Sequence, residues 1–338
     1  MHRAARIEDG FHAWREKRAR KRGYAVTVVP YPGYGSTEWV RVLSRVLLTR
    51  NPRPGSRAAR KMQKRSESVR GWRSFTAVPV NDVTVTITIE GITTVVKADR
   101  GGVVDVQIPI SLTPGKHTVL IQADGSEAAE STIHVISPEI RVGLVSDVDD
   151  TVMVTALPRP FLAAWNSFVL DEHARVPTPG MAVFLSRIAS IQEGMPVVYL
   201  STGAWNVAPT LRRFLGRNLY PKGTLLLTDW GPTHDRMFRS GRAHKETQLR
   251  RLAKEFPQIK WILVGDDGQH DESIYAEFEQ DHPKSVKAVA IRQLSNGEAV
   301  LAGGRKKAEE HTQAGDAPWV YAPDGAGLAE QLTDYKVL

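Results

Sequence analysis

Three strings of acidic or hydroxyl-bearing residues each follow an apolar run. RVGLVSD leads into Asp147-Val148-Asp149-Asp150-Thr151, MPVVYLS into Ser201-Thr202-Gly203, and KWILVGD into Gly265-Asp266-Asp267-Gly268-Gln269-His270-Asp271. Carboxylates brought into one crevice repel each other, which is costly unless a cation sits among them. The chain has no cysteine, so any metal is held by oxygen or imidazole, and oxygen-only ligation points to Mg²⁺. Asp147 and Asp149, separated by Val148 on a strand-end loop, can both face the crevice while Val148 turns back into the core. One then suits a nucleophile and the other an acid/base, a division that follows from different surroundings.

Lys245 adds a cation. The spacing places it at the start of a predicted helix, where the macrodipole disfavours positive charge. Its position therefore suggests a chemical role, neutralising a phosphoryl oxygen beside the metal. His234, His244, His270 and His282 show no HxH or HExxH spacing and read as surface or hydrogen-bonded residues rather than ligands.

Such residues need a frame that gathers strand ends. RVGLVSD, MPVVYLS, GTLLLTD, KWILVGD and VKAVAIR read as strands buried on both faces of a parallel sheet. Between them, Met181, Phe184, Leu185 and Ile188 mark one helical face, and Leu249, Leu252 and Phe256 another that stops at Pro257. Residues 138–295 are therefore expected to form a doubly wound, mostly parallel α/β domain, with ligands beyond the carboxyl ends of its strands. Residues 296–338, rich in Gly and Ala, read as decoration or a tail. Upstream, VTVTITIEG and the runs after it alternate with period two between turn signals, predicting a small all-β, sandwich-like domain over 23–137. A basic insertion near 51–70 interrupts that domain, and residues 1–22 form a basic arm.

A length of 338 residues predicts about two domains. No window of about 18 uncharged apolar residues occurs, and the N-terminal stretch lacks the apolar core of a signal peptide, which disfavours a membrane span and Sec-type secretion. The net charge of +8 is concentrated at one end: residues 1–70 hold 18 Lys+Arg against 5 Asp+Glu, leaving 27 against 32 for the rest. That end suits an anionic membrane surface or nucleic acid, and Phe11 and Trp14 beside its cations could seat at a lipid interface. Signatures of RRM, zinc-finger and KH modules are absent, so nucleic acid is the disfavoured partner.

DVDDT at 147–151, YLS at 199–201, Lys245 and GDDGQHD at 265–271 resemble the four motifs of the haloacid dehalogenase superfamily of phosphatases. More narrowly, SDVDDTV, PTPGM, VVYLSTGAWN, His244-Lys245 and VGDDGQHDESIY are similar to the catalytic domain of the actin-patch-associated phosphatidate phosphatases (DUF2183 type) and their bacterial relatives, distant cousins of lipins. The resemblance implies that Asp147 attacks phosphorus and carries an aspartyl-phosphate, while Asp149 protonates the leaving alkoxide and then activates water. It implies phosphate contacts from Thr151, Ser201, Thr202 and Lys245. Mg²⁺ would be held by Asp147, the backbone carbonyl of Asp149 and Asp266, with Asp267 or Asp271 orienting its waters; many relatives carry Ser where Asp267 stands.

The resemblance and the residues together give the expected function: a Mg²⁺-dependent phosphatase that hydrolyses a phosphomonoester, foremost phosphatidate to diacylglycerol and phosphate at a membrane surface. A cap segment holding Phe161, Leu162, Trp165, Phe168, Val169 and Leu170 would suit an acyl-chain substrate. The expected place is the cytoplasm of a bacterium, with peripheral contact at the inner leaflet. Two alternatives stay open, a soluble phosphomonoester or phosphoprotein phosphatase, and a lipid- or nucleic-acid-binding protein without catalysis.

Overall fold

The computed structural model describes residues 14–50, 77–154, 176–228, 234–268, 270–295, 297–298 and 315–338. The expected cap segment, the basic insertion near 51–70 and the first part of the basic arm lie outside the described residues. The chain divides into two compact units, Met1–Val135 with Trp205–Pro209, and Ile136–Ala204 with Thr210–Leu338.

The first unit opens with a helical stretch, 14–21. Eight strands follow: β1 (Tyr24–Gly35), β2 (Trp39–Arg50), β3 (Val78–Pro79), β4 (Thr84–Ile89), β5 (Ile92–Lys97), β6 (Val103–Pro109), β7 (Gly115–Ala123) and β8 (Ala129–Val135). They form one curled sheet in the order β3-β2-β1-β8-β7-β4-β5, with β6 also on β2, rather than two separate sheets. The long β2 explains the continuity, because Trp39–Arg45 pair with β6 while Leu47 and Leu48 pair with β3. Similarly β1 pairs antiparallel with β2, shifts register between Tyr31 and Tyr34, and ends parallel to β8. Alternation buries Val85, Ile87 and Ile89 of β4 and Val119 and Ile121 of β7 in a common core, to which the helical stretch contributes Ala19. Each large apolar side chain so buried contributes about 2 kcal/mol.

The second unit is mixed α/β. Its strands are β9 (Val142–Asp147), β10 (Met153–Val154), β11 (Val176–Pro177), β12 (Val197–Ala204), β13 (Thr224–Thr228), β14 (Lys260–Asp266), β15 (Val286–Arg292) and β16 (Trp319–Ala322). Six of them form a sheet in the order β13-β12-β9-β14-β15-β16, parallel throughout, while β10 and β11 make a separate two-stranded ladder. Counted along the chain this order is 3-2-1-4-5-6, so the direction of winding reverses between β9 and β14, which is where open parallel sheets leave a crevice. The helix Met181–Ala189 buries Met181, Phe184, Leu185 and Ile188, the face its periodicity predicts.

One expectation is corrected here. Residues 315–338 are not a tail: β16 is the sixth strand of the sheet, and the helix Gly325–Asp334 packs against Met181–Ala189. Asp324 caps that helix by accepting the amides of Ala326 and Gly327 at 3.0 Å. The strand is only four residues long and half-buried at alternate positions, too weak a pattern to stand out beside the continuous apolar runs. Among the described residues no helix is long and apolar enough to cross a membrane.

Candidate active site

The site follows from register. β9 lies between β12 and β14, with Asp147 opposite Leu200 on one side and Ser146 opposite Val264 on the other. The residues just past these partners, Ser201 on β12 and Asp266 on β14, therefore emerge with Asp147 at one edge of the sheet. All six residues from Val142 to Asp147 except the first are buried, so the strand is apolar up to Val145 and ends, after buried Ser146, in its carboxylate.

Asp147, Asp266 and Asp271 form a buried triad whose ligand oxygens all lie within 4.8 Å of one another. Lys245 is buried with them. Its Nζ stands 2.5 Å from Asp147 Oδ1 and 2.6 Å from Asp271 Oδ1. Asp266 Oδ1 accepts the Gly268 amide at 2.7 Å, which fixes the loop that leaves β14. Asp271 opens the helix Asp271–Asp281, where the N-terminal dipole favours a carboxylate. A second pair adjoins this group: Ser201 Oγ donates to Asp149 Oδ2 at 3.0 Å and accepts the Gly203 amide at 3.0 Å. Thr151 Oγ1 reaches Asp147 Oδ2 at 3.4 Å.

The electrostatics are those of a pit with surplus negative charge. Burial pushes the Asp147 carboxyl well above the usual range, Lys245 opposes the shift, and Asp271 and Asp149 reinforce it. Asp266 is raised for the same first reason, with Asp271 and Asp147 adding to it. For Lys245 burial works downward, but Asp147 and Asp271 outweigh it and raise the ammonium. Three buried carboxylates offset by one lysine leave an unmet demand for positive charge, and the donors are hard oxygens. The residues therefore fit a divalent cation of the oxygen-loving class.

Several expectations change at this point. Lys245 does not start a helix; it lies midway along His234–Glu255, and its partners rather than a helix terminus account for its charge. Asp267 stands outside the triad, since its Oδ1 accepts the Leu294 amide at 2.8 Å and its own amide donates to the Arg292 carbonyl at 3.0 Å. Of the two carboxylates left open as the outer ligand, Asp271 is the one gathered with Asp147 and Asp266. Thr202 has an exposed side chain beside Ser201. Among the described residues no histidine joins the cluster. Sequence reading passed over Arg292, a cation that ends the apolar run VKAVAIR at the position where Asp147 and Asp266 end theirs.

Residues 142–293 match the family model described as the catalytic domain of phosphatidate phosphatase APP1. Over 157 residues the chain is 26% identical to the phosphatidate phosphatase APP1 of Saccharomyces cerevisiae, covering 46% of this chain and 26% of that protein. Over 154 residues it is 22% identical to an uncharacterized protein of Schizosaccharomyces pombe, covering 45% of this chain and 25% of that one. The chain thus spans about a quarter of the length of these curated relatives. Among solved structures, a carbohydrate acetylesterase from Xanthomonas citri aligns over 81% of this chain and 73% of its own, with 10% identity and a TM-score of 0.28, too slight a likeness to bear on fold or function. The segment that holds the carboxylate triad, Lys245 and Ser201 is thus similar, over residues 142–293, to the catalytic domain of the phosphatidate phosphatase APP1.

Proposed function

We propose that this chain is a Mg²⁺-dependent phosphatase of haloacid dehalogenase type acting on phosphatidate. The observation that carries the reading is the buried Lys245 between Asp147 and Asp271, with Asp266 in reach, at the reversal point of the sheet. Asp147, Asp266, Asp271 and the backbone carbonyl of Asp149 would hold the ion, which when bound supplies charge neutralisation to the transferring phosphoryl oxygens. Asp147 attacks phosphorus, forming an aspartyl-phosphate as the bond to the glycerol oxygen breaks. Asp149, in its protonated form, gives its proton to the departing alkoxide. It then takes a proton from water, whose oxygen attacks phosphorus and frees inorganic phosphate and Asp147. Ser201 orients Asp149, and Lys245 holds the nucleophile and the phosphoryl charge in place. Thr151, which reaches Asp147, and Thr202, next to Ser201 in the chain, are proposed as further phosphate contacts.

A substrate embedded in a bilayer calls for peripheral contact. The helical stretch 14–21 is anchored by buried Ala19, and Trp14, Lys17, Arg18 and Lys21 fall at i, i+3, i+4 and i+7 on one exposed stripe. Arg18 lies over the Trp14 ring at 5.4 Å, and Trp14 is 54% exposed. An aromatic residue beside three cations suits the interface of an anionic leaflet, which on this reading is the cytoplasmic face of the inner membrane of a bacterium.

The test is Mg²⁺-dependent phosphate release from phosphatidate in mixed micelles, beside a soluble aryl phosphate, with wild type and Asp147→Asn. Preference for phosphatidate, lost on substitution, is the expected result. Cleavage of the aryl phosphate alone would move the assignment to a soluble phosphomonoester or phosphoprotein, and hydrolysis of neither would move it to a binding protein.

A further inference from the structure

Arg292 is buried at the end of β15, and each of its three guanidinium nitrogens donates a hydrogen bond. Nη1 donates to the backbone carbonyl of Asp150 at 2.6 Å, Nη2 to Glu298 Oε1 at 2.8 Å and Nε to the carbonyl of Pro323 at 3.3 Å. Its own carbonyl accepts the Asp267 amide at 3.0 Å, and the next turn returns the Leu294 amide to Asp267 Oδ1 at 2.8 Å. One residue thus grips both loops that present the carboxylates, the first through its side chain and the second through its main chain.

The first loop needs such a hold. Asp150 sits at φ 59°, a left-handed conformation that residues with a side chain disfavour. Its amide donates to the Met153 carbonyl at 2.8 Å, and Tyr220 Oη donates to the Val152 carbonyl at 2.6 Å. The turn from Val148 to Met153 is therefore pinned by Arg292 and Tyr220, neither of which lies on it. Asp149 and Thr151 flank the strained residue, so their directions depend on its staying put.

We infer that Arg292 is a positioning residue: it sets the turn bearing Asp149 against the loop bearing Asp266 without touching substrate. The inference rests on the phosphatase reading for its kinetic part. Lysine gathers its donors on one atom and cannot span acceptors that Arg292 meets with three separate nitrogens, and methionine donates to none.

The experiment compares wild type, Arg292→Lys, Arg292→Met, Asp149→Asn and the Asp149→Asn/Arg292→Met double variant, using aryl phosphate turnover per folded molecule. Arg292→Met is expected to lower kcat about 10²-fold with KM within about threefold, as misplacement of a reacting group does, and Arg292→Lys to fall between. The double variant should be no slower than Asp149→Asn, since the two act as one unit. Hydrogen exchange reads the same coupling without turnover: amides of 148–153 and of 266–268 should open together in Arg292→Met while those of β4 do not change. A kcat within threefold of wild type, losses that multiply with Asp149→Asn, or exchange rising only around 292–298 would each overturn the inference. If Arg292→Met does not fold, Arg292→Lys carries the same comparisons. A wild type that releases no phosphate removes the phosphatase reading, and the exchange pattern then decides the positioning role alone.

Discussion

Lys245 and its partners set the behaviour of individual residues. Replacing Asp147 by Asn removes the attacking oxygen's charge but little volume, so phosphate release should disappear while circular dichroism keeps the wild-type spectrum. Lys245→Met leaves Asp147 and Asp271 without their shared cation. It should cost about 3 kcal/mol of stability in urea denaturation as well as at least about 10²-fold in kcat. The raised carboxyls fix the sign of the pH dependence. Because Asp147 and Asp266 titrate above their unfolded values, the folded cation-free chain binds more protons than the unfolded one. That stabilisation is complete below about pH 4 and is lost as pH rises through the raised folded values. Melting temperature without divalent ions should therefore decline from about pH 5 to pH 8. Added Mg²⁺ should restore it more strongly at pH 8, approaching about 2.7 kcal/mol at one hundred times its dissociation constant. Thermal melts with Mg²⁺ and with chelator at both pH values check this, and an equal Mg²⁺ effect at both would contradict it.

At the scale of elements, two glycines separate support of the site from support of the fold. A methyl group at Gly265 would lie 2.7 Å from Asp271 Oδ2 and 2.8 Å from both Asp271 Cβ and Tyr275 Cε2, so Gly265→Ala must push the start of a helix away from β14. Weaker Mg²⁺ binding by calorimetry, by about tenfold or more, and a fall in kcat are expected, with a stability cost of about 1–3 kcal/mol. At Gly143 the added carbon would meet the Trp261 ring at 2.4 and 2.5 Å, away from the pit. Gly143→Ala should lower the melting temperature and leave kcat of the folded protein near wild type. The strands behind these contrasts are legible in the sequence because a strand buried on both faces is apolar throughout and stops where its chemistry begins, as β9 and β14 do. Asp267 is not separable from Asp266 by type, since only the path of the loop sends one into the triad and the other to Leu294. Lys245 reads as a helix start because nothing in HDRMFRSGRAH signals that the helix begins at His234. Arg292 carries a visible signal, a charge ending an apolar run, but a cation there does not look like part of an acidic site.

For the whole molecule, the charge split between the basic N-terminal region and the rest translates into salt-sensitive association. Reversing Lys17, Arg18 and Lys21 to Glu removes three cations from the exposed stripe, at roughly 1 kcal/mol each near an anionic leaflet. Flotation with phosphatidylserine vesicles should fall by about 10²-fold at low ionic strength, and less at 0.15 M, where the screening length is about 8 Å. Retained flotation would place membrane contact elsewhere, and a matching loss of DNA binding would point to the other polyanion. The strand order carries a further consequence, in time rather than space. Asp147 and Asp266 meet only because β9 pairs with β14, a contact that must close the long chain segment holding β12, β13 and the helix His234–Glu255. Loop closure of that length is a slow, late-rewarded event in folding. A chain still leaving the ribosome holds Asp147 without its pit, so the onset of cation affinity during refolding is a clock for the formation of the central strand pair.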